Sequence, residues 1–121
     1  MSDSAKPKRY DLEERSFIFA KKVSFLCGQL LRTIPNLEYI KQVVRSSGSV
    51  GANYIEANES LTKKDFSHRI RICLKEAKET AYWLRLLQET NDGEIPKKIE
   101  PLIREAIELK KIFSAISEKS K

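Results

Sequence analysis

Glu76 and Glu79, three residues apart, are the side chains of this sequence best suited to acid–base or metal chemistry. Paired carboxylates exchange protons, and in helical bundles they hold two metal ions. The di-metal arrangement also needs Glu-x-x-His pairs, and the one histidine, His68, is not so placed. Flanked by Lys64 and Arg71, His68 reads as an exposed side chain rather than a general base. Two thiols, Cys27 and Cys73, with one His cannot complete a four-ligand zinc site. A phosphate-binding glycine loop and a nucleophile elbow are both missing. The expectation is therefore no catalytic residue, no metal, no cofactor and no small-molecule substrate: a protein that is not an enzyme. Arg45, Asn53, Glu56, Glu76 and Glu79 border the apolar faces of their helices, where ion pairs and hydrogen bonds between helices or subunits are their expected work.

A row of cations offers different chemistry. Lys64, His68, Arg71, Lys75, Lys78 and Arg85 fall on the outward half of one helix, with Tyr82 among them. Such a line suits a run of phosphates and one stacked base. The plain alternative is a solvated helix face, which is usually charged. Here the acids Asp65, Glu76 and Glu79 lie toward the flank, and Lys6, Lys8 and Arg9 would add to the same positive surface. A net charge of +6 favours nucleic acid or an acidic protein as partner.

The elements that carry these residues are helices. The 121 residues suffice for one domain with its own core, and four Gly and four Pro leave little turn material for an all-β fold. The spacing predicts four helices. The first starts at Asp11, with Glu14 completing a capping box, and ends near Arg32; its inner face is Leu12, Phe19, Val23, Leu26 and Leu30. Asn36 caps the second, whose stripe is Leu37, Ile40, Val44, Ser47, Gly51, Tyr54, Asn58 and Leu61. Thr62 caps the third, with Phe66, Ile70, Cys73, Ala77, Thr80, Leu84 and Leu87 inward. Asn91, Asp92 and Gly93 form a turn, and the fourth helix runs from about Pro96 to Ser117 over Ile99, Leu102, Ile103, Ala106, Leu109 and Phe113. Short connections between long helices predict an all-α, antiparallel, up-down-up-down four-helix bundle over residues 11–117. Residues 1–10 are expected as a disordered basic arm and 118–121 as a disordered tail.

No apolar run approaches the roughly 18 residues of a membrane span, and the polar start at residues 1–9 does not resemble a signal peptide. Both cysteines fall on apolar faces, as free thiols of a reduced, cytoplasmic protein would. Hydrophobicity is nevertheless in surplus. Phe17, Ile18 and Phe25 lie opposite the core stripe of the first helix, and Ile72, Trp83 and Leu86 widen the third. A second ridge either wraps within one subunit or meets a second copy. The small outer residues Ser49 and Ala52 fit a close approach between copies.

Residues 45–58, RSSGSVGANYIEAN, concentrate that theme: small residues in a helix, where each Gly costs about 1 kcal/mol relative to Ala. With KKDFSHRIRICLKEAKETAYWLRLL after it and YDLEERSFIFAKKV at the start, the chain resembles the 23S rRNA-intervening sequence proteins. Their superfamily includes the accessory variability determinant of diversity-generating retroelements. The likeness spans roughly residues 10–113 and includes polar positions: Arg45, Ser46, Asn53 and Glu56, then Lys75, Glu76, Ala77, Glu79 and Trp83. It implies a homopentameric ring of four-helix bundles with a basic surface. In the retroelement branch it implies binding to nucleic acid and to a reverse transcriptase. It carries over no catalytic residue. The competing expectation is a structural or protein-interaction module with no nucleic-acid role.

Overall fold

The computed structural model describes residues 8–121, with side chains from Leu12 onward. Four helices follow in order: α1 (Lys8–Cys27), α2 (Ile34–Asn58), α3 (Lys63–Thr90) and α4 (Ile95–Lys119). Residues 1–7 of the expected basic arm lie outside the described part.

Two helix starts are set by threonine hydroxyls that accept otherwise unpaired backbone N–H groups. Thr62 Oγ1 accepts from the Asp65 N–H at 3.0 Å, and Asp65 places its charge in the positive first turn of α3. Thr33 Oγ1 accepts from the Asn36 N–H at 3.2 Å, and Pro35 follows in the first turn. Asn36 is therefore not the cap expected of it. Its buried amide instead donates to the Leu31 carbonyl and pairs reciprocally with Asn91, both amide–amide bonds being 2.9 Å. Asp11 does not open α1, which begins at Lys8. The same helix stops at Cys27 instead of near Arg32, because Gly28 breaks the run and a tight turn closes through Gln29 N–H to Leu26 O at 2.9 Å. At the other end α4 continues two residues past Ser117, and the Ser120 hydroxyl packs against Ser67. Gly93, at φ +67°, supplies the left-handed residue of the turn before α4.

The core is one cluster fed by every helix, including Phe19, Val23, Val43, Val50, Ile70, Leu84, Leu87, Ile99, Leu109 and Phe113. Tyr54 meets Phe113 edge-on across it, with ring centroids 5.6 Å apart. The inward faces of α3 and α4 follow the apolar spacing. The face of α2 does not: the buried residues are Asn36, Val43, Ser46, Ser47, Val50, Tyr54 and Ala57, whereas Leu37 and Val44 are exposed and Leu61 is 97% exposed. Polar members decide the register. The Ser46 hydroxyl lies 2.8 Å from that of Thr80, which is also 2.8 Å from the Glu76 carbonyl, so small polar residues bury without loss.

Cross-helix pairs run in opposed numerical order. Asn36, Ser46, Val50 and Asn53 of α2 meet Asn91, Thr80, Cys73 and Arg69 respectively. Arg15 and Gln29 meet Glu105 and Lys98 of the last helix. The contacts α1–α2, α2–α3, α3–α4 and α1–α4 close a circuit in which α1 and α3 sit diagonally.

Candidate nucleic-acid interface

Positions 64, 68, 71, 75, 78, 82 and 85 alternate spacings of four and three, so the α-helical period keeps them on one line of α3. All seven side chains are exposed. At 1.5 Å per residue the line is roughly 31 Å long. Two cations are partly neutralised: Lys75 Nζ lies 3.9 Å from Glu79, and Arg85 Nε 3.3 Å from Glu89. Among the described residues no carboxylate forms an ion pair with Lys64, Arg71 or Lys78.

The fourth helix adds cations that the spacing on α3 alone did not reveal. One groove between α3 and α4 is lined by Leu74, Lys78, Lys110, Lys111, Ser114, Ala115 and Glu118. A second is lined by Lys63, Lys64, Ser67, Arg71, Ser120 and Lys121. Lys111 and Lys121 have nearby acids, Glu108 at 3.8 Å and Glu118 at 3.1 Å, while Lys110 has no ion pair among the described residues. The clue was present in the sequence: Lys111, Ser114, Glu118 and Lys121 repeat at three and four, so they share a face that borders α3. The basic surface therefore spans two helices.

The polar set divides. Arg45 reaches Glu76 at 3.3 Å and Glu79 at 3.2 Å, joining three of the five residues. The Glu76 side chain is only 8% exposed, so this guanidinium is what compensates its buried charge. Asn53 belongs to a separate pair: its Oδ1 accepts from Arg69 at 2.9 Å and its Nδ2 donates to the Ser49 carbonyl. Arg69 was missed because it lies off the basic row. Glu56 is exposed, and its carboxylate joins neither group. Among the described residues no three His, Cys, Asp or Glu side chains gather as a metal-ligand set. Burial pushes the Cys27 thiol up to about 11 and the Cys73 thiol up to about 12, far from the thiolate needed for nucleophilic work.

The surplus apolar residues also divide. Phe17 is 61% and Phe25 66% exposed, Ile18 is exposed, and Leu37, Val44 and Ile55 continue the apolar surface along α2. Ala52 is exposed and Ser49 half-buried. Ile72, Trp83 and Leu86 are half-buried within their own chain. Trp83 lies 6.0 Å from the Tyr39 ring and packs on the core, so it widens the bundle rather than forming a free ridge. Every exposed large apolar side chain described lies on α1, α2 or the connections flanking α2, except Tyr82. No described helix is long and apolar enough to cross a membrane.

No curated protein matches the chain. Among solved structures, the crystal structure of a protein of unknown function from the S23 ribosomal protein family of Bacteroides thetaiotaomicron is similar. It shares 30% identity, with a TM-score of 0.78 over 93% of this chain and 99% of that one. The model of the 23S rRNA-intervening sequence proteins matches residues 8–115, which takes in all of α1 to α3 and most of α4, the exposed cation row and the Arg45–Glu76–Glu79 cluster. The chain belongs to the 23S rRNA-intervening sequence protein family.

Proposed function

We propose that this protein is a non-enzymatic, homo-oligomeric bundle that binds RNA or DNA electrostatically through its α3–α4 face. The observation that carries the reading is the continuity of cations from the exposed Lys64, Arg71 and Lys78 on α3 to the half-buried Lys110 and exposed Lys111 on α4. Of these only Lys111 has an acid, Glu108, within ion-pair distance among the described residues. A positive strip of this length attracts a polyanion by releasing its counterions. The opposed order of the cross-helix pairs supports the antiparallel up-down-up-down arrangement, which brings the two cationic helices side by side. Glu76 and Glu79 take a structural part under Arg45.

The test is a salt titration of binding to a mixed RNA and DNA pool. Arg71→Glu with Lys78→Glu should weaken binding and flatten the slope of log K against log salt by about 1.4, at roughly 0.7 per phosphate contact on a single strand. Unchanged affinity and slope would show that α3–α4 is the wrong surface.

Self-association belongs to the same proposal, on the exposed apolar residues of α1 and α2. Light scattering coupled to size exclusion should give an oligomer, five-fold as the family resemblance implies. Phe25→Glu should dissociate it with helicity retained, since Phe25 is exposed in the single chain. A wild-type monomer at micromolar concentration would refute this part. An accessory role in a ribonucleoprotein, with a reverse transcriptase as partner, rests on the superfamily resemblance alone.

A further inference from the structure

Tyr82 is the one large apolar side chain exposed on α3 or α4 among the described residues, and it stands between Lys78 and Arg85 of the cation row, with Glu89, the partner of Arg85, lining the same groove. It is 59% exposed, and its hydroxyl has no hydrogen bond among those residues. Its ring is nevertheless held in place. Trp83 packs against it at 77°, centroids 5.0 Å apart, and Trp83 is in turn braced by Tyr39 at 6.0 Å. A braced exposed ring loses little side-chain freedom when something flat is laid on it. Lys78 and Arg85 stand one turn to either side, about 6 Å and 4.5 Å along the helix axis. Phosphates flanking one nucleotide would meet a cation in each direction.

We infer that Tyr82 is a stacking platform for an unpaired base, and that the nucleic acid taken by the α3–α4 face is single-stranded. The inference rests on the electrostatic reading above and deepens it. A base inside a duplex already has both faces covered by its neighbours, so only a single strand, loop or end offers a free π face. Cations alone do not make that distinction.

The protein carries its own reporter, because Trp83 is its only tryptophan and touches Tyr82. Three probes separate the contributions: a mixed-sequence RNA of about 12 nucleotides, its duplex, and heparin, the length lying within the usual single-strand site sizes. The single strand should bind tighter than the duplex and quench Trp83 emission, while heparin binds without quenching. Tyr82→Ala should weaken single-strand binding about tenfold and leave heparin binding unchanged. Tyr82→Phe, which keeps the ring, should bind like wild type. Circular dichroism checks that the exposed substitutions leave the helices intact. If single strand and duplex bind alike and Tyr82→Ala changes neither, the stacking platform is overturned while the electrostatic surface stands. If none of the three polyanions binds, both proposals fall together.

Discussion

Two glycines three residues apart on α2 should respond oppositely to alanine. A Cβ built on Gly48 meets nothing within 4 Å, so Gly48→Ala adds a methyl group to open space. The change removes a helix-interior glycine penalty of about 0.8–1.0 kcal/mol, part of it as lost freedom of the unfolded chain. A Cβ on Gly51 lies 3.2 Å from Ser16 Cβ and 3.8 Å from the Ser16 carbonyl carbon. Those atoms are fixed to the α1 backbone, so the helices must part by a few tenths of an ångström. Overpacking of this kind costs roughly 1–3 kcal/mol, enough to cancel or exceed the propensity gain. Urea unfolding followed by circular dichroism, at matched concentration with light scattering alongside, reads both. Gly48→Ala should raise the midpoint, equivalent to roughly 3–5 °C in Tm for a chain of this size. Gly51→Ala should leave it unchanged or lower it, with the loss reduced when Ser16→Gly is added. Equal stabilisation by the two alanines would refute the close α1–α2 approach. A lower midpoint for Gly48→Ala, at unchanged oligomeric state, would refute the open surface above Gly48.

Ser16 is fully buried and its hydroxyl has no hydrogen-bond partner among the described residues, so Ser16→Ala should stabilise by up to about 1 kcal/mol in the same urea assay. Asn36→Ala strands one amide of the reciprocal Asn36–Asn91 pair and should cost roughly 2 kcal/mol, whereas a change under 0.5 kcal/mol would mean water replaces the pair. The thiols predict a pH dependence. Their folded pKa values, about 11 for Cys27 and 12 for Cys73, are raised by burial, so the unfolded chain ionises first. Stability is then full below the unfolded thiol pKa and falls as pH climbs through that value toward the folded ones. Replacing both cysteines with alanine should flatten the alkaline fall in urea midpoint, and a wild-type midpoint constant through pH 10 would contradict the burial effect.

The third helix was legible in sequence because each inward position from Ile70 to Leu87 is apolar except Glu76 and Thr80, and its start carries a threonine cap. The second was legible only in part, at Ser47 and Tyr54, for a physical reason. Counting apolar residues makes Leu37 and Val44 the inner stripe, but hydropathy does not register that a small polar side chain buries at little cost when its partner is present. Asn36 finds Asn91, Ser46 finds Thr80, and Val43 takes the place offered to Val44. The wheel turns by about one residue, so Leu37 and Val44, expected inside, become surface, and Leu61 falls beyond the end of the helix. The cation row on α3 was legible from its spacing. The α4 contribution was not, because only the packing of α4 against α3 brings Lys110 and Lys111 beside Lys78. Glu56 borders the apolar face of α2 as Asn53 does, yet its carboxylate stays in solvent while Arg69 donates to the Asn53 amide oxygen.

That one-residue turn of α2 ties the two proposed surfaces together. With Leu37 and Val44 outward, α2 joins α1 in presenting apolar side chains, while exposed cations line both helices of the α3–α4 face. In a bundle whose neighbours run α1–α2–α3–α4 and back, these are opposite sides. Assembly through α1 and α2 would therefore leave every basic face outward, and no subunit would have to choose between its copies and a polyanion. Several such faces on one ring would hold a long strand at several points, so each later contact forms at the high effective concentration set by the first. Under that geometry a dissociating Phe25→Glu change should weaken binding to a long strand far more than to one covering a single α3–α4 face. Equal losses on both would mean the two surfaces are not separated in the way the bundle places them.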